Sequence, residues 1–215
     1  MQKRDFKNFS EKEIYHVYNR GTNKENLFRD KQDYKAFLYR LGLAIGIKSD
    51  DLNKNGMTQS PKSRVRITKS PGDLFKLHSF CLMPNHFHLL IEQKSNVSIS
   101  LLIQKICTSF SMYINKKYKR VGHLFQGNFK SVPIESNPQL IWTTSYIHMN
   151  PVKSNLVTRP EEYDWSSYND YIRDRNLPII YKDFIVDIFE NKENLIKQTL
   201  ALKNKDFMSR LNLDI

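Results

Sequence analysis

Strand and helix periodicities along the 215-residue chain predict an α+β fold of the ferredoxin-like type. Its core is a largely antiparallel sheet with helices packed on one face, and a helical C-terminal extension follows. Three observations carry this. Residues 14–20, 74–83 and 86–93 have the aromatic and β-branched content of strands, and Pro84-Asn85 between the last two is a turn signal. Two stretches, starting near residues 31 and 98, repeat apolar residues at helical spacing. The elements then run strand, helix, hairpin, helix, strand, helix, which is the ferredoxin-like order.

In chain order, Ile14 to Arg20 give the first strand and Gly21 to Lys24 turn the chain. Asp30 and Asp33 form a capping pair for a helix over 31–47, whose Tyr34, Phe37, Leu38, Leu41, Ala44 and Ile45 recur at helical spacing. Residues 49–73 are rich in Ser, Asp, Asn, Lys, Gly and Pro and read as a polar insertion. Within it, 64–68 alternates as a short strand would, and Lys62, Arg64, Arg66 and Lys69 make it basic. Ser98 opens the second helix. Ile99, Leu102, Ile103, Ile106, Phe110, Tyr113 and Ile114 form its buried stripe, with Lys105, Ser109, Lys116 and Lys117 outside it. A loop at 122–129 leads to a strand at 129–134, which Pro133 places near a sheet edge. Residues 138–149 read as a helix ended by Asn150-Pro151, with a helical or turn segment at 152–157. The domain expected is therefore 14–157, including the insertion at 49–73, with an extension at 158–215 whose residues 184–202 are amphipathic.

Charge is the informative bulk property. Lys plus Arg number 34 against 22 Asp plus Glu, a net charge of +12. So large a bias favours a polyanionic partner, nucleic acid above all. No apolar run reaches the length of a membrane span, and no signal peptide is read at the N-terminus. Cys81 and Cys107 lie in apolar runs as free thiols would in a reducing compartment, so a cytoplasmic location is expected.

The stretch Met83-Pro84-Asn85-His86-Phe87-His88 carries the chemistry. Alternate residues of a strand share a face, so His86 and His88 project together about 7 Å apart, a spacing suited to sharing one divalent metal. Two imidazoles need a third ligand, and phosphodiester cleavage needs a nucleophile. The helix at 138–150 offers both, since Tyr146 and Asn150 are four apart and share a face. A protonated phenol is a poor nucleophile, and a cation on the scissile phosphate or phenol oxygen would offset that handicap. Asn150 before Pro151 is equally suited to capping a new helix, and Tyr146 to packing.

Several motifs together resemble one family. Leu82-Met83-Pro84-Asn85-His86-Phe87-His88-Leu89-Leu90 is similar to the HUH motif of the single-tyrosine HUH transposases. Tyr146-Ile147-His148-Met149-Asn150-Pro151-Val152-Lys153 is similar to their catalytic-tyrosine segment. Tyr15 to Gly21 and Gly122 to Phe129 match in the same order, and Trp165-Ser166-Ser167-Tyr168 resembles a segment of the REP-associated tyrosine transposase branch. The resemblance implies DNA transposition by a metal-dependent transesterase that nicks and rejoins single-stranded DNA at the foot of a hairpin. His86, His88 and Asn150 would bind Mg²⁺ or Mn²⁺, and Tyr146 would form a 5′-phosphotyrosine with release of a 3′-hydroxyl. Single-stranded or hairpin DNA is the partner it implies, and the protein would act as a monomer or homodimer, with no membrane involved.

DNA contacts are expected from the basic residues nearest the motifs, Arg20, Lys105, Lys116, Lys117, Lys119, Arg120 and Lys130. Phe125 and Gln126 could stack on or hydrogen-bond an unpaired base. Glu92, which shares the histidines' parity, is expected to be a structural or charge-balancing residue. The alternative function is a catalytically inactive hairpin DNA- or RNA-binding protein on the same fold. A metal-free histidine phosphoesterase fits less well, because position 90 is Leu90 rather than a third alternate histidine.

Overall fold

The structure, a computed structural model, describes residues 9–58 and 72–204. Its sheet is built around the hairpin of β2 (Phe75–Met83) and β3 (His86–Gln93), joined across Pro84-Asn85. The first strand, β1 (Ile14–Arg20), pairs antiparallel with β3, and β4 (Lys130–Pro133) pairs antiparallel with β1. The order β2-β3-β1-β4 is the ferredoxin-like arrangement expected from the sequence.

Seven helices accompany the sheet among the described residues: α1 (Lys31–Ala44), α2 (Ser49–Lys54), α3 (Ile99–Lys117), α4 (Asn137–Lys153), α5 (Tyr168–Ile172), α6 (Asp183–Phe189) and α7 (Lys192–Ala201). Asp30 caps α1 in the anticipated capping box with Asp33, and the Ser98 hydroxyl accepts from the Ser100 N–H at the start of α3. Gly46, at φ +101°, stops α1 earlier than its apolar spacing suggests.

The α+β class holds, but the helices pack on both faces of the sheet and not on one face as expected. Val17, Phe80, Leu82, Phe87 and Leu89 meet Phe37 and Leu41 of α1 and Ile103, Ile106 and Phe110 of α3 in one core. On the other face Cys81, Met83 and Leu90 meet Leu140, Ile147 and Met149 of α4 and Ile185, Phe189 and Leu195 of α6 and α7. The reason lies in β3, which is buried along almost its whole length rather than at alternate residues. A strand apolar on both sides needs cover on both sides. The segment before α5 also closes the outer edge of β2. The Leu82 N–H donates to the Trp165 carbonyl at 2.8 Å and the Ser167 N–H to the Phe80 carbonyl at 2.9 Å, while Trp165 stacks on Tyr34. Those bonds occupy an edge that would otherwise offer free backbone groups.

Three further expectations are corrected. Residues 49–54 of the polar insertion form α2, which docks through the fully buried Leu52, with Met57 buried just behind it. One apolar residue in a six-residue helix leaves no periodicity to read. Ser109 is buried rather than outside the α3 stripe, because it accepts a hydrogen bond at 3.1 Å from Nε of the buried Arg40. Helix α4 runs through Pro151 to Lys153, so Asn150 caps no new helix. Pro151 lacks an N–H for the Ile147 carbonyl, yet the Ser154 N–H still reaches the Asn150 carbonyl at 3.0 Å, and one missing bond in the last turn is tolerated. The strand expected at 64–68 lies outside the described residues.

Gly42 permits the docking of α2. A Cβ there would collide with Leu52 Cδ2 and press on Ile179 Cγ2 at 3.0 Å. Gly42→Ala is therefore expected to lower stability by about 1–3 kcal/mol despite alanine's better helix propensity, as urea denaturation would measure.

Candidate functional site

Strand register assembles the site. Across the β1–β3 pair Arg20 faces His86 and Tyr18 faces His88, and on the outer strand Lys130 faces Tyr18. By alternation His16, Tyr18, Arg20, His86, His88 and Lys130 all lie on the sheet face that α4 covers. The His86 and His88 ring centroids are 5.0 Å apart. Helix α4 sets the Tyr146 ring edge-on to His88 at 5.6 Å and to His16 at 6.1 Å, so the tyrosine meets the histidines of its own chain. Trp142, one turn earlier, stacks on Tyr146 at 5.1 Å with the ring planes 8° apart. Asn150 lies one turn later on the tyrosine's face, its Nδ2 donating to the Tyr146 carbonyl at 3.0 Å. The Lys153 ammonium is 5.9 Å from the Tyr146 ring centroid.

The constellation is closed. His88 is fully buried, Tyr146 is 2% exposed and His86 is 8% exposed. Burial pushes the Tyr146 phenol up to about 12, partly offset by hydrogen bonding with Asn150. Burial lowers His86 to about 4 and His88 well below its ordinary value, with the Arg20 charge adding to both. His16 is lowered to about 3, again by burial. All three rings are thus neutral near pH 7, the state in which an imidazole can ligate a metal.

The donor set fits a divalent cation. His88 Nε2 is buried with no hydrogen-bond partner, while its Nδ1 is engaged with His16 Nε2 at 2.9 Å. His86 Nδ1 is engaged with Asn85 Oδ1 at 2.6 Å, which leaves Nε2 as its ligand atom. Among the described residues no three His, Cys, Asp or Glu side chains gather as a metal-ligand set. A third protein ligand would therefore be of another type, and the Asn150 amide oxygen is one that hard cations accept.

The other expected residues separate into two groups. Arg20 and Lys130 lie on the histidine face, and the Gln126 N–H bonds to the Arg20 carbonyl, which brings the 125–126 loop beside the site. Arg20 Nε is buried without a partner. Lys105, Lys116, Lys117 and Arg120 belong to α3 and its C-terminal end, across the sheet. There Lys117 is ion-paired with Asp30 at 2.6 Å and Asp33 at 2.7 Å, and Arg120 with Glu25 at 3.1 Å, so these two charges serve internal ion pairs. Phe125 packs edge-on against Phe87 and lines a cleft of about 370 Å³ with Asn19, Gln104 and Phe129. Asn19 alternates with Tyr18 and Arg20, so this cleft is distinct from the histidine–tyrosine cluster. Glu92 takes the structural part expected of it, bonded to His78 at 3.0 Å and to Lys94 at 3.4 Å. The sequence reading missed His16, Tyr18 and Trp142 as neighbours of the site. Their only signals were parity with Arg20 in one strand and helical spacing from Tyr146.

No curated protein matches the chain. A structure of a REP-associated tyrosine transposase bound to a REP hairpin is similar in fold, with a TM-score of 0.56 at 14% identity. The likeness covers 82% of this chain and 90% of that one. A Deinococcus radiodurans R1 protein described as a transposase is 12% identical over 64% of this chain and 90% of its own, at a TM-score of 0.38 too low to carry an argument. The family model of IS200-like transposases matches residues 54–150, the segment that holds both histidines, the tyrosine and Asn150. Over that segment, somewhat under half of the chain, the protein is similar to the IS200-like transposases.

Proposed function

We propose that the chain is a metal-dependent single-stranded DNA transesterase of the REP-associated tyrosine branch, nicking and rejoining hairpin-flanked DNA through Tyr146. The observation that carries this is the Tyr146 ring 5.6 Å from that of His88, whose Nε2 is buried and unpartnered. A phenol beside vacant imidazole nitrogen on a basic protein is the donor set for phosphoryl transfer to tyrosine. Hairpin DNA as the partner is supported by the structural neighbour, which is bound to a REP hairpin.

In this reaction the phenol oxygen of Tyr146 forms a bond to the scissile phosphorus, and the bond from phosphorus to the 3′-oxygen breaks. The phenol gives up its proton, and the departing 3′-oxygen gains one to become a hydroxyl. The 5′-phosphotyrosine conserves the ester for rejoining, when a 3′-hydroxyl attacks and Tyr146 regains its proton. His86, His88 and Asn150 would hold Mg²⁺ or Mn²⁺, which when bound supplies Lewis-acid polarisation of the phosphate. Arg20, opposite His86, is placed to take a phosphate oxygen, and Lys130 adds positive charge on the same face. Trp142 fixes the phenol by stacking and excludes water from one of its faces.

The test is to incubate the protein with single-stranded hairpin DNA from the flanks of its own gene and Mn²⁺, then denature. A covalent protein–DNA complex that survives denaturant is expected. Tight hairpin binding with no such complex would identify a binding protein that has lost catalysis.

A further inference from the structure

The interaction between His16 and His88 has consequences for the metal-binding atom. Each neutral imidazole carries a single N–H, and one hydrogen bridges His16 Nε2 and His88 Nδ1 across 2.9 Å. Two arrangements are open to the pair. If His16 donates, His88 carries its own proton on Nε2, which then has no lone pair for a cation. If His88 donates from Nδ1, its Nε2 bears the free lone pair. That nitrogen is buried and has no protein partner, which marks it as the atom reserved for a ligand.

We propose that His16 is a positioning residue: by accepting the Nδ1–H of His88, it holds that ring in the tautomer and orientation in which Nε2 can bind the divalent cation. This rests on the metal reading given above. Outer-shell acceptors of a ligating histidine are commonly carboxylates or backbone carbonyls. A backbone carbonyl is not available here, because carbonyls in paired strands serve the ladder. A carboxylate would be charged and desolvated between a sheet and a helix, at a position that is 1% exposed. A neutral imidazole accepts the same hydrogen without burying a charge. The rings of His16 and His88 are also stacked, centroids 5.1 Å apart and planes 23° apart, and Tyr18 backs both at 5.1 and 5.8 Å. His88 is therefore restrained against rotation from its Nδ1 side, with its Nε2 side left open to the cation.

Two measurements test this, neither of them catalytic. In metal-free wild-type protein, ¹⁵N chemical shifts of the His88 ring should show a protonated Nδ1 and an unprotonated Nε2; the opposite tautomer overturns the proposal. In calorimetric titration with Mn²⁺ alone, His16→Leu should weaken affinity by about 10- to 100-fold, the range for outer-shell partners. His16→Gln, whose Oε1 can accept the same hydrogen, should recover most of that loss. Thermal melting without metal checks that each variant is folded, and if His16→Leu is not, the wild-type ring shifts decide. Unchanged Mn²⁺ affinity in folded His16→Leu, with affinity lost in His88→Ala, refutes the role of His16 and leaves the metal site standing. Absence of saturable Mn²⁺ binding to wild-type protein removes the metal reading, and this proposal with it.

Discussion

Replacing Tyr146 by phenylalanine is expected to reduce the denaturant-stable protein–DNA complex to background while leaving hairpin binding intact. The substitution removes one oxygen from a ring whose packing against Trp142, His88 and His16 needs only its carbon frame. The oxygen lost is the one that would bond to phosphorus, so the effect is on a covalent step and not on affinity. Burial sharpens the argument. With its phenol pushed up to about 12, Tyr146 is protonated at neutral pH, and ionising it there costs on the order of 7 kcal/mol. Positive charge in the site must offset much of that cost, from Arg20, from Lys153 at 5.9 Å from the ring centroid, and from the cation that His86 and His88 are proposed to hold. No other described tyrosine combines contact with His88 and a place one helical turn from a buried asparagine amide. Tyr18 is the nearest competitor, its ring centroid 5.8 Å from that of His88. A covalent complex that persisted in Tyr146→Phe and vanished in Tyr18→Phe would transfer the role to the strand residue.

The parts of the fold legible in the sequence were those fixed by local pattern. The capping pair Asp30 and Asp33, the seven-residue stripe on α3 and the hairpin around Pro84-Asn85 each need only their neighbours in sequence to be recognised. His86 and His88 belong with these, because alternation alone puts them on one face. What was not legible depends on long-range pairing. His16 reaches His88 only because β1 lies beside β3 in one particular register, and a strand's own sequence does not name its partner. The internal pairs of Lys117 with Asp30 and Asp33 bridge more than 80 residues, so a lysine that reads as surface charge is an internal tie. Pro151 misled for a different reason: proline disfavours helix interiors, and the last turn is where its cost is smallest. Tyr146 and Asn150 were correctly placed on one helical face, but α4's position over the histidines follows from a sheet apolar on both sides, which alternation in β3 did not announce.

Acid is expected to unfold this protein well before its carboxylates protonate. Four buried histidines carry the effect: His16 and His148 lowered to about 3, His86 to about 4, and His88 well below its ordinary value, each chiefly by burial. In the unfolded chain each returns toward 6.5 and takes up a proton as pH falls through that value. Between 6.5 and the folded-state values the unfolded state therefore binds more protons, and stability falls with pH. The stabilisation is complete above 6.5, declines below it, and levels off once the folded-state rings protonate. Each histidine costs about 2 kcal/mol by pH 5, and four together approach the 5–15 kcal/mol total stability of a typical domain. Urea denaturation at pH 7, 6 and 5 should show the decline, and equal stability at all three would contradict neutral burial of these rings. His148 separates the fold's share from the site's, since it lies on α4 between Tyr168 and Tyr171 with Nε2 on the Ser167 hydroxyl at 2.9 Å. His148→Gln should make the dependence shallower by about 1.4 kcal/mol per pH unit in the middle of that window. Mn²⁺ should oppose the acid loss in wild-type and His148→Gln protein alike, because a cation on His86 and His88 binds only the neutral, folded pair.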